Sequence, residues 1–230
     1  MSIFNDISAI QNIIYIFSSI LFISGIKMLG KEDTAVKGNF LSALAMFIAV
    51  SVTIINVVNP MIVIIGIAIG ALIGSLIALK VKMTSIPEMV ALFNGFGGLA
   101  TFFIAWSEFN AIPDNVFQYV LIMLTTYIGG VTFSGSIIAY GKLSEKLKIQ
   151  KDSIITKLFT TLFYLSILFL VYSTAFTSFI EIPIDFYKVL LILTLLGGIG
   201  FVLPIGGGDM PVVISLLNSF SGIAAAFAGL

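Results

Sequence analysis

One polar stretch interrupts a sequence that is otherwise apolar enough to cross a membrane. Residues 205–226 read IGGGDMPVVISLLNSFSGIAAA and place Asp209, Pro211 and Asn218 among aliphatic side chains. A polar group in hydrocarbon costs free energy unless it is hydrogen-bonded or serves the function. Asp209 and Asn218 are therefore candidate functional residues. Ser215, three positions before Asn218 and on the same side of a helix, is a secondary candidate.

An earlier apolar segment repeats part of this pattern. A shift of 124 positions aligns the two segments without a gap and superposes identical residues, among them Pro87 with Pro211, Asn94 with Asn218, and Gly98 with Gly222. Transporter folds often derive from internal duplication and place the functional site between the repeated elements. The match therefore points to Asn94 and Asn218. Because the flanking segments match poorly and apolar sequence aligns easily, a true repeat and a chance match both stay open.

Small and polar residues spaced three and four apart form one continuous face on each of three segments. These faces are Pro87, Ala91, Asn94, Gly98, Thr101, Ala105; Pro211, Ser215, Asn218, Gly222, Ala225, Gly229; and Thr125, Gly129, Thr132, Ser136, Ala139. Small residues allow close helix packing, and Ser, Thr and Asn form hydrogen bonds between helices. Packing alone is one interpretation. The other is that the three faces converge on a hydrated proton or ion path, lined by Asn94, Ser136 and Asn218.

The composition is that of an integral membrane protein. Of the 230 residues 59% are hydrophobic and 10% are charged, whereas about a quarter of the residues of a soluble domain are charged. Apolar runs near the roughly 20 residues that span hydrocarbon as a helix lie at about 7–27, 38–57, 60–79, 86–106, 116–140, 155–180, 187–204 and 210–230. The runs are continuous rather than alternating, which disfavours a barrel. We predict an all-α polytopic transmembrane bundle of about eight helices, forming a single domain over 1–230.

Several functional classes are excluded by what the sequence lacks. It contains no Cys and no His, so thiolate chemistry is absent and the commonest metal ligand is missing; no metal is expected. A net charge of zero argues against a nucleic-acid partner. The glycine-rich runs at 95–98 and 206–208 lack the strand and helix context of a nucleotide site. We therefore expect no cofactor to bind to this chain.

The lysines predict an orientation in the membrane. All eleven basic residues are Lys, and all but Lys188 flank the first, third and fifth predicted loops. Short Lys-rich loops stay in the cytoplasm. We therefore predict an N-terminus outside and the Lys-rich loops inside, with Asp209 at the cytoplasmic surface.

Three charged residues at predicted helix ends have both a structural and a functional interpretation. Asp209 follows the turn at 206–208 and would cap the last helix, and Glu88 occupies the first turn of the fourth. Lys142 is most simply a charge at the membrane interface that sets the topology. Glu88 and Lys142 are kept as secondary candidates for the functional site.

Three motifs resemble the membrane domain of the β subunit of proton-translocating NAD(P) transhydrogenase. They are PEMVALFNG at 87–95, TFSGSIIAYGKL at 132–143, and GGGDMPVVISLLNSFSGIAAA at 206–226. The motifs spread over most of the chain in the family's order, and the last is long and specific. The resemblance implies an enzyme complex that couples hydride transfer from NADH to NADP⁺ to proton movement through this helical domain.

The resemblance also implies partners and roles. NAD(H) and NADP(H) would be bound by partner domains: an NAD-binding domain on the α subunit and an NADP-binding domain after the β helices. The complex would contain a second β subunit and lie in the cytoplasmic (inner) membrane of a bacterium. Asn94 takes the place of a proton-relay histidine found in many members, and Ser136 and Asn218 line the same path. Asp209, with Gly207 and Gly208, takes the place of the loop that faces the NADP-binding domain.

Two departures from the family follow from the sequence. With Asn94 at the histidine position and no His elsewhere, an ionisable relay would come from a partner, water or a carboxylate. The family's β subunit continues into one more helix and the NADP-binding domain, so this chain is expected to be a fragment, a truncated product or one piece of a split subunit. A standalone ion transporter or channel, and a non-catalytic assembly scaffold, are the alternative functions.

Overall fold

The computed structural model describes residues 2–55, 57–111, 115–149, 153–176 and 184–230. Its eight α-helices are α1 Ser2–Leu29, α2 Glu32–Ile54, α3 Pro60–Lys80, α4 Ile86–Asn110, α5 Val116–Leu143, α6 Ile154–Phe176, α7 Ile184–Val202 and α8 Met210–Ala228. Each contains a stretch long and apolar enough to cross a membrane, and no strand occurs in these ranges. The prediction of an all-α transmembrane protein with about eight helices is confirmed. The predicted end of the sixth span, beyond 176, lies outside the described residues.

The chain divides into two compact units, residues 1–80 and 81–230. In the first unit α1 and α2 pack through residues that recur every seven positions: Gln11, Ser18 and Gly25 on α1, and Gly38, Ala45 and Val52 on α2. This spacing keeps one stripe of each helix facing its neighbour. The hydroxyl of Ser18 donates to the carbonyl oxygen of Ala45 at 2.6 Å. By contrast, α3 has no buried residue in the described structure. The single domain over 1–230 stays a prediction.

The second unit is built around α5. This helix packs against α4, α7 and α8, and α6 packs mainly against α7. Buried hydroxyls connect the helices: Thr126 of α5 lies 2.6 Å from the hydroxyl of Tyr187 on α7, and Tyr127 lies 3.0 Å from Ser166 on α6. The ring of Tyr187 also stacks on Phe109 of α4, with centroids 3.7 Å apart. With its partners on several sides, α5 is the helix on which any site in this unit depends.

The helices α4 and α8 begin in the same way. A three-residue 3₁₀ turn precedes each, Met83–Ser85 before α4 and Gly207–Asp209 before α8, and a proline stands in the first helical turn of both. The sequence shift of 124 positions carries one turn onto the other. Both helices pack against α5 and against each other. We call the end of the unit where they start the Lys142 end, and the opposite end the Glu108 end.

Candidate functional site

Glycine brings the backbones of α4 and α5 together along the faces that the sequence singles out. A Cβ on Gly98 would lie 2.9 Å from both the carbonyl oxygen of Gly129 and the backbone nitrogen of Phe133. Contact this close leaves no room for a side chain, so the two faces meet directly. On α5 the whole predicted face is buried: Thr125, Gly129, Thr132, Ser136 and Ala139.

The side-chain amide of Asn94 joins three helices at one point of this contact. Its Nδ2 donates to the hydroxyl of Ser136 on α5 at 3.1 Å. The hydroxyl of Ser221 on α8 donates to its Oδ1, also at 3.1 Å. Ser136 is only 1% exposed, while Asn94 and Ser221 are half-buried. The structure therefore brings together Asn94 and Ser136, two of the three residues expected to line a path.

Within the described residues, the polar face of α8 does not meet the polar faces of α4 and α5, and the role of Asn218 in a path stays a prediction. Asn218, Ser215 and Gly222 are exposed at the surface of the unit, and no hydrogen bond joins Asn218 to the Asn94 cluster. The physical reason is the stripe that α8 turns inward, where Val213, Ile214 and Leu217 pack into the apolar core. Burying that stripe removes more apolar surface than burying the small and polar face would.

Ser221 is the site residue that the sequence reasoning missed. It lies four positions after Leu217 and three before Ala224, both fully buried, so it shares the inward stripe of α8. Following the apolar periodicity of this helix, rather than its polar residues, would have identified it. A hydroxyl can both donate and accept, and Ser221 is the polar group that α8 presents to α4.

A line of hydroxyls continues from the cluster toward the Glu108 end. Thr101 of α4 donates to the carbonyl oxygen of Gly98 at 2.9 Å. On α5, Thr132 and Thr125 are 0% and 1% exposed, and their hydroxyls have no hydrogen-bond partner among the described residues. Unpaired buried hydroxyls are costly and are the usual sites of ordered water. Neither hydroxyls nor amides ionise near neutral pH, so this line is suited to ordering water that carries a proton rather than to holding one.

Lys142 makes specific hydrogen bonds in addition to placing a charge near the membrane interface. Its ammonium group donates to three backbone carbonyl oxygens at the end of α7 and just after it, those of Val202 at 3.3 Å, Leu203 and Ile205. The last carbonyls of a helix lack partners and carry partial negative charge, so a cation is favourable there. The contact fixes the end of α5 to the end of α7. It also fixes the start of the loop that leads to α8.

The loop before α8 is exposed, and neither packing nor backbone conformation in the described structure requires glycine at positions 207 and 208. Asp209 takes the N-cap position, but its side chain makes no capping hydrogen bond, so the predicted cap is wrong. The 3₁₀ turn gives Asp209 a helical backbone conformation, φ −91° and ψ −4°, whereas a capping residue is normally extended. A Cβ on Gly207 or Gly208 would meet no atom within 4 Å, and neither has a positive φ. Beside the loop lies a cavity of about 190 Å³ whose walls include Lys142 and Gly206.

The remaining candidates lie apart from the Asn94 cluster. Glu88 is half-buried in the first turn of α4, and its carboxylate suits the positive end of that helix. In the part of the chain that the structure describes, no three acidic residues come close enough to hold a metal ion. The absence of a bound metal or cofactor stays a prediction.

Comparison with known proteins identifies the family. The family model described as NAD(P) transhydrogenase beta subunit matches residues 11–230. Two Rhodospirillum rubrum sequences named NAD(P) transhydrogenase subunit beta are each 35% identical over 234 residues, covering 94% of this chain and 48% of the relative. The chain thus spans about half the length of the curated relatives that it matches. It belongs to the NAD(P) transhydrogenase β-subunit family, as its three motifs predict.

Proposed function

We propose that this chain is the proton-conducting membrane part of a transhydrogenase, in which hydride transfer from NADH to NADP⁺ is coupled to proton translocation. The observation that carries the proposal is the Asn94 amide, which bridges Ser136 and Ser221 between three helices. A polar group at membrane depth is costly, and one that joins three helices is a candidate for an ion or proton pathway. Family membership supports the coupling to nucleotides.

The path in this proposal runs between α4, α5 and α8. Asn94, Ser136 and Ser221 order the water at its centre. Asn218 faces outward from α8, so its contribution to the path would depend on a neighbour outside this unit. Secondary roles fall to Glu88 and Ser215, near the start of the two similar helices.

Coupling to the nucleotide is proposed to act through the exposed loop at the Lys142 end. Gly207, Gly208 and Asp209 would contact an NADP-binding domain, and the nucleotide state would decide to which side the Asn94 region opens. Lys142 supports this idea because it ties the same loop to α5 and α7. A loop that shifts on nucleotide exchange would then move α5 and α8, two of the helices that form the path.

The partners and placement belong to the same proposal. NAD(H) and NADP(H) would be bound by partner domains, through an α subunit and an NADP-binding domain, and a second β subunit would complete a dimer. The complex would lie in a bacterial cytoplasmic membrane, with the Lys142 end inside and the Glu108 end outside, as the lysine distribution predicts.

Reconstitution into vesicles tests the proposed function. One set of vesicles contains the complete complex and the other this chain alone. On addition of NADH and NADP⁺, we expect proton uptake with the complete complex only, and no proton current through the chain alone under an applied potential. Ion flux through the isolated chain would contradict the proposal in favour of a standalone channel. Hydride transfer without proton uptake by the complete complex would leave the chain as a scaffold.

A further inference from the structure

A cavity of about 390 Å³ opens at the Glu108 end of the second unit, between the ends of α4, α5 and α8. Its polar wall consists of Glu108 on α4 and of Gln118 and Thr125 on α5, and Phe227 to Leu230 close the side toward α8. Glu108 is exposed, whereas Thr125 is 1% exposed and its hydroxyl has no partner among the described residues. The cavity therefore runs from a surface carboxylate to a buried hydroxyl.

The size and lining of this cavity fit water. A water molecule occupies about 30 Å³ of the liquid and needs two to four polar partners. The cavity has room for several waters and offers a carboxylate, an amide and a hydroxyl. A second cavity of about 270 Å³ in the same unit is lined mainly by aromatic and aliphatic side chains, Phe163 and Ile167 among them. Apolar cavities stay dry, so the two differ in chemistry more than in size.

The buried end of the polar cavity meets the line of hydroxyls that leads to Asn94. Thr125, Thr132 and Ser136 follow one another on the face of α5 that packs against α4. Eleven residues of helix separate the first from the last, a rise of about 16 Å. Thr132 is the second buried hydroxyl on this face that has no partner in the described structure. A water beside each hydroxyl would satisfy it. Because Gly98 and Gly129 hold the backbones of α4 and α5 in contact between the two threonines, these waters join the cavity to the cluster only when the helices part there, as the proposed opening of the Asn94 region requires.

We propose that this cavity is the vestibule through which protons exchange between the Glu108 end and Asn94. Glu108 is the surface carboxylate that exchanges protons with bulk water, and Thr125 and Thr132 hold the waters that carry them inward. This inference rests on the proposed function and adds its access route. It also supplies the ionisable group that the centre of the path lacks. The carboxylate stands at the mouth of the path instead of beside Asn94.

Thiol labelling tests whether the cavity is wet. The chain has no Cys, so an introduced cysteine is its only thiol. Ile122 lines the cavity, while the adjacent Met123 is 1% exposed and packs into the core beside Tyr187. In the complete complex, a water-soluble thiol reagent is expected to label Ile122→Cys rapidly and Met123→Cys slowly. Equal, slow labelling of both would overturn the vestibule.

Proton uptake tests whether the vestibule is used. We expect Glu108→Gln to lower nucleotide-driven uptake by about a hundredfold, the low end of what a positioned proton-transfer group contributes. The control is Asp185→Asn, because Asp185 is an exposed acid paired with Lys188 at 3.0 Å and does not line the cavity; it should keep normal uptake. On the buried side, Thr125→Val should lower uptake and Thr125→Ser should restore it. Normal uptake in both Glu108→Gln and Thr125→Val would overturn the route.

The outcomes separate this inference from the function on which it rests. If the complete wild-type complex transfers hydride without moving protons, the proposed function fails whatever the labelling shows. If the wild type pumps protons and Asn94→Leu stops pumping while the vestibule variants do not, the function stands and protons use another route. Labelling of Ile122→Cys that leaves uptake unchanged would also contradict the route.

Discussion

Two helices of this protein carry the same pattern of residues and use it in opposite ways. The residues of α4 and α8 align over a shift of 124 positions, from the 3₁₀ turn before each helix to the glycine one turn after the Asn. On α4 the small and polar face lies against α5, and Asn94 and Gly98 take part in that contact. On α8 the corresponding Asn218 and Gly222 are exposed. The spacing of small and polar residues thus identifies one face of each helix, but it does not determine whether that face packs against another helix or is exposed.

The apolar residues between the shared positions do not explain the difference by themselves. The counterparts of Val213, Ile214 and Leu217 on α4 are Met89, Val90 and Phe93, which are also apolar but are half-buried or exposed. Val213, Ile214 and Leu217 give α8 an apolar stripe that packs on the core. On α4, the small and polar face is held against α5, because Gly98 and Gly129 place the two backbones in contact and admit no side chain. The two similar segments therefore begin their helices in the same way, but the helices turn different faces toward the core.

Substituting the paired glycines gives the largest expected contrast. In Gly98→Ala the new Cβ would press on the backbone of α5, so the free energy of unfolding should fall by about 1–3 kcal/mol or more. In Gly222→Ala the Cβ meets no atom within 4 Å, and the better helix propensity of Ala should raise that free energy by up to about 1 kcal/mol. Thermal unfolding of the purified chain in detergent measures both. Similar losses in the two variants would contradict the orientation of α8.

The paired asparagines give a smaller contrast in stability. Asn94→Leu removes two hydrogen bonds between helices, each worth about 0.6 kcal/mol, so a loss of about 1 kcal/mol is expected. Asn218→Leu removes no hydrogen bond seen in the described residues and should change the stability of the purified chain by less than about 0.5 kcal/mol. The same unfolding experiment applies. A larger loss for Asn218→Leu would place that side chain inside the unit.

The paired 3₁₀ turns give the smallest change in stability and a sharp functional contrast. Gly208 and Thr84 correspond under the same shift, and both are exposed. Gly208→Ala and Thr84→Ala should each alter the free energy of unfolding by less than about 0.5 kcal/mol. If the loop before α8 contacts an NADP-binding domain, only Gly208→Ala should lower nucleotide-driven proton uptake by the complete complex. Equal uptake in the two variants would remove the loop glycines from the coupling.

The sequence predicts the number of helices and the contact between α4 and α5, because apolar length and small-residue spacing are local properties. It also singles out Asn94 and Ser136, which the structure joins. It does not show that Asn218 faces outward from this unit, and it misses Ser221, since the rotation of α8 depends on the apolar area that its neighbours offer. The three carbonyl partners of Lys142 come from residues 202–205, about sixty positions away, and no local pattern records them. The absence of a capping bond at Asp209 depends on the 3₁₀ turn, which the glycine run alone does not specify.

Proton uptake by the Asn94→Leu variant tests the central claim most directly. The complete complex carrying Asn94→Leu is reconstituted into vesicles, and subunit assembly, hydride exchange and proton uptake are measured on one preparation. The Leu side chain removes the amide between Ser136 and Ser221 and excludes water, so uptake should fall by about a hundredfold or more. Assembly should survive, together with hydride exchange that requires no net proton transfer. Normal uptake in this variant would contradict the account and leave Asn94 as a packing residue between three helices.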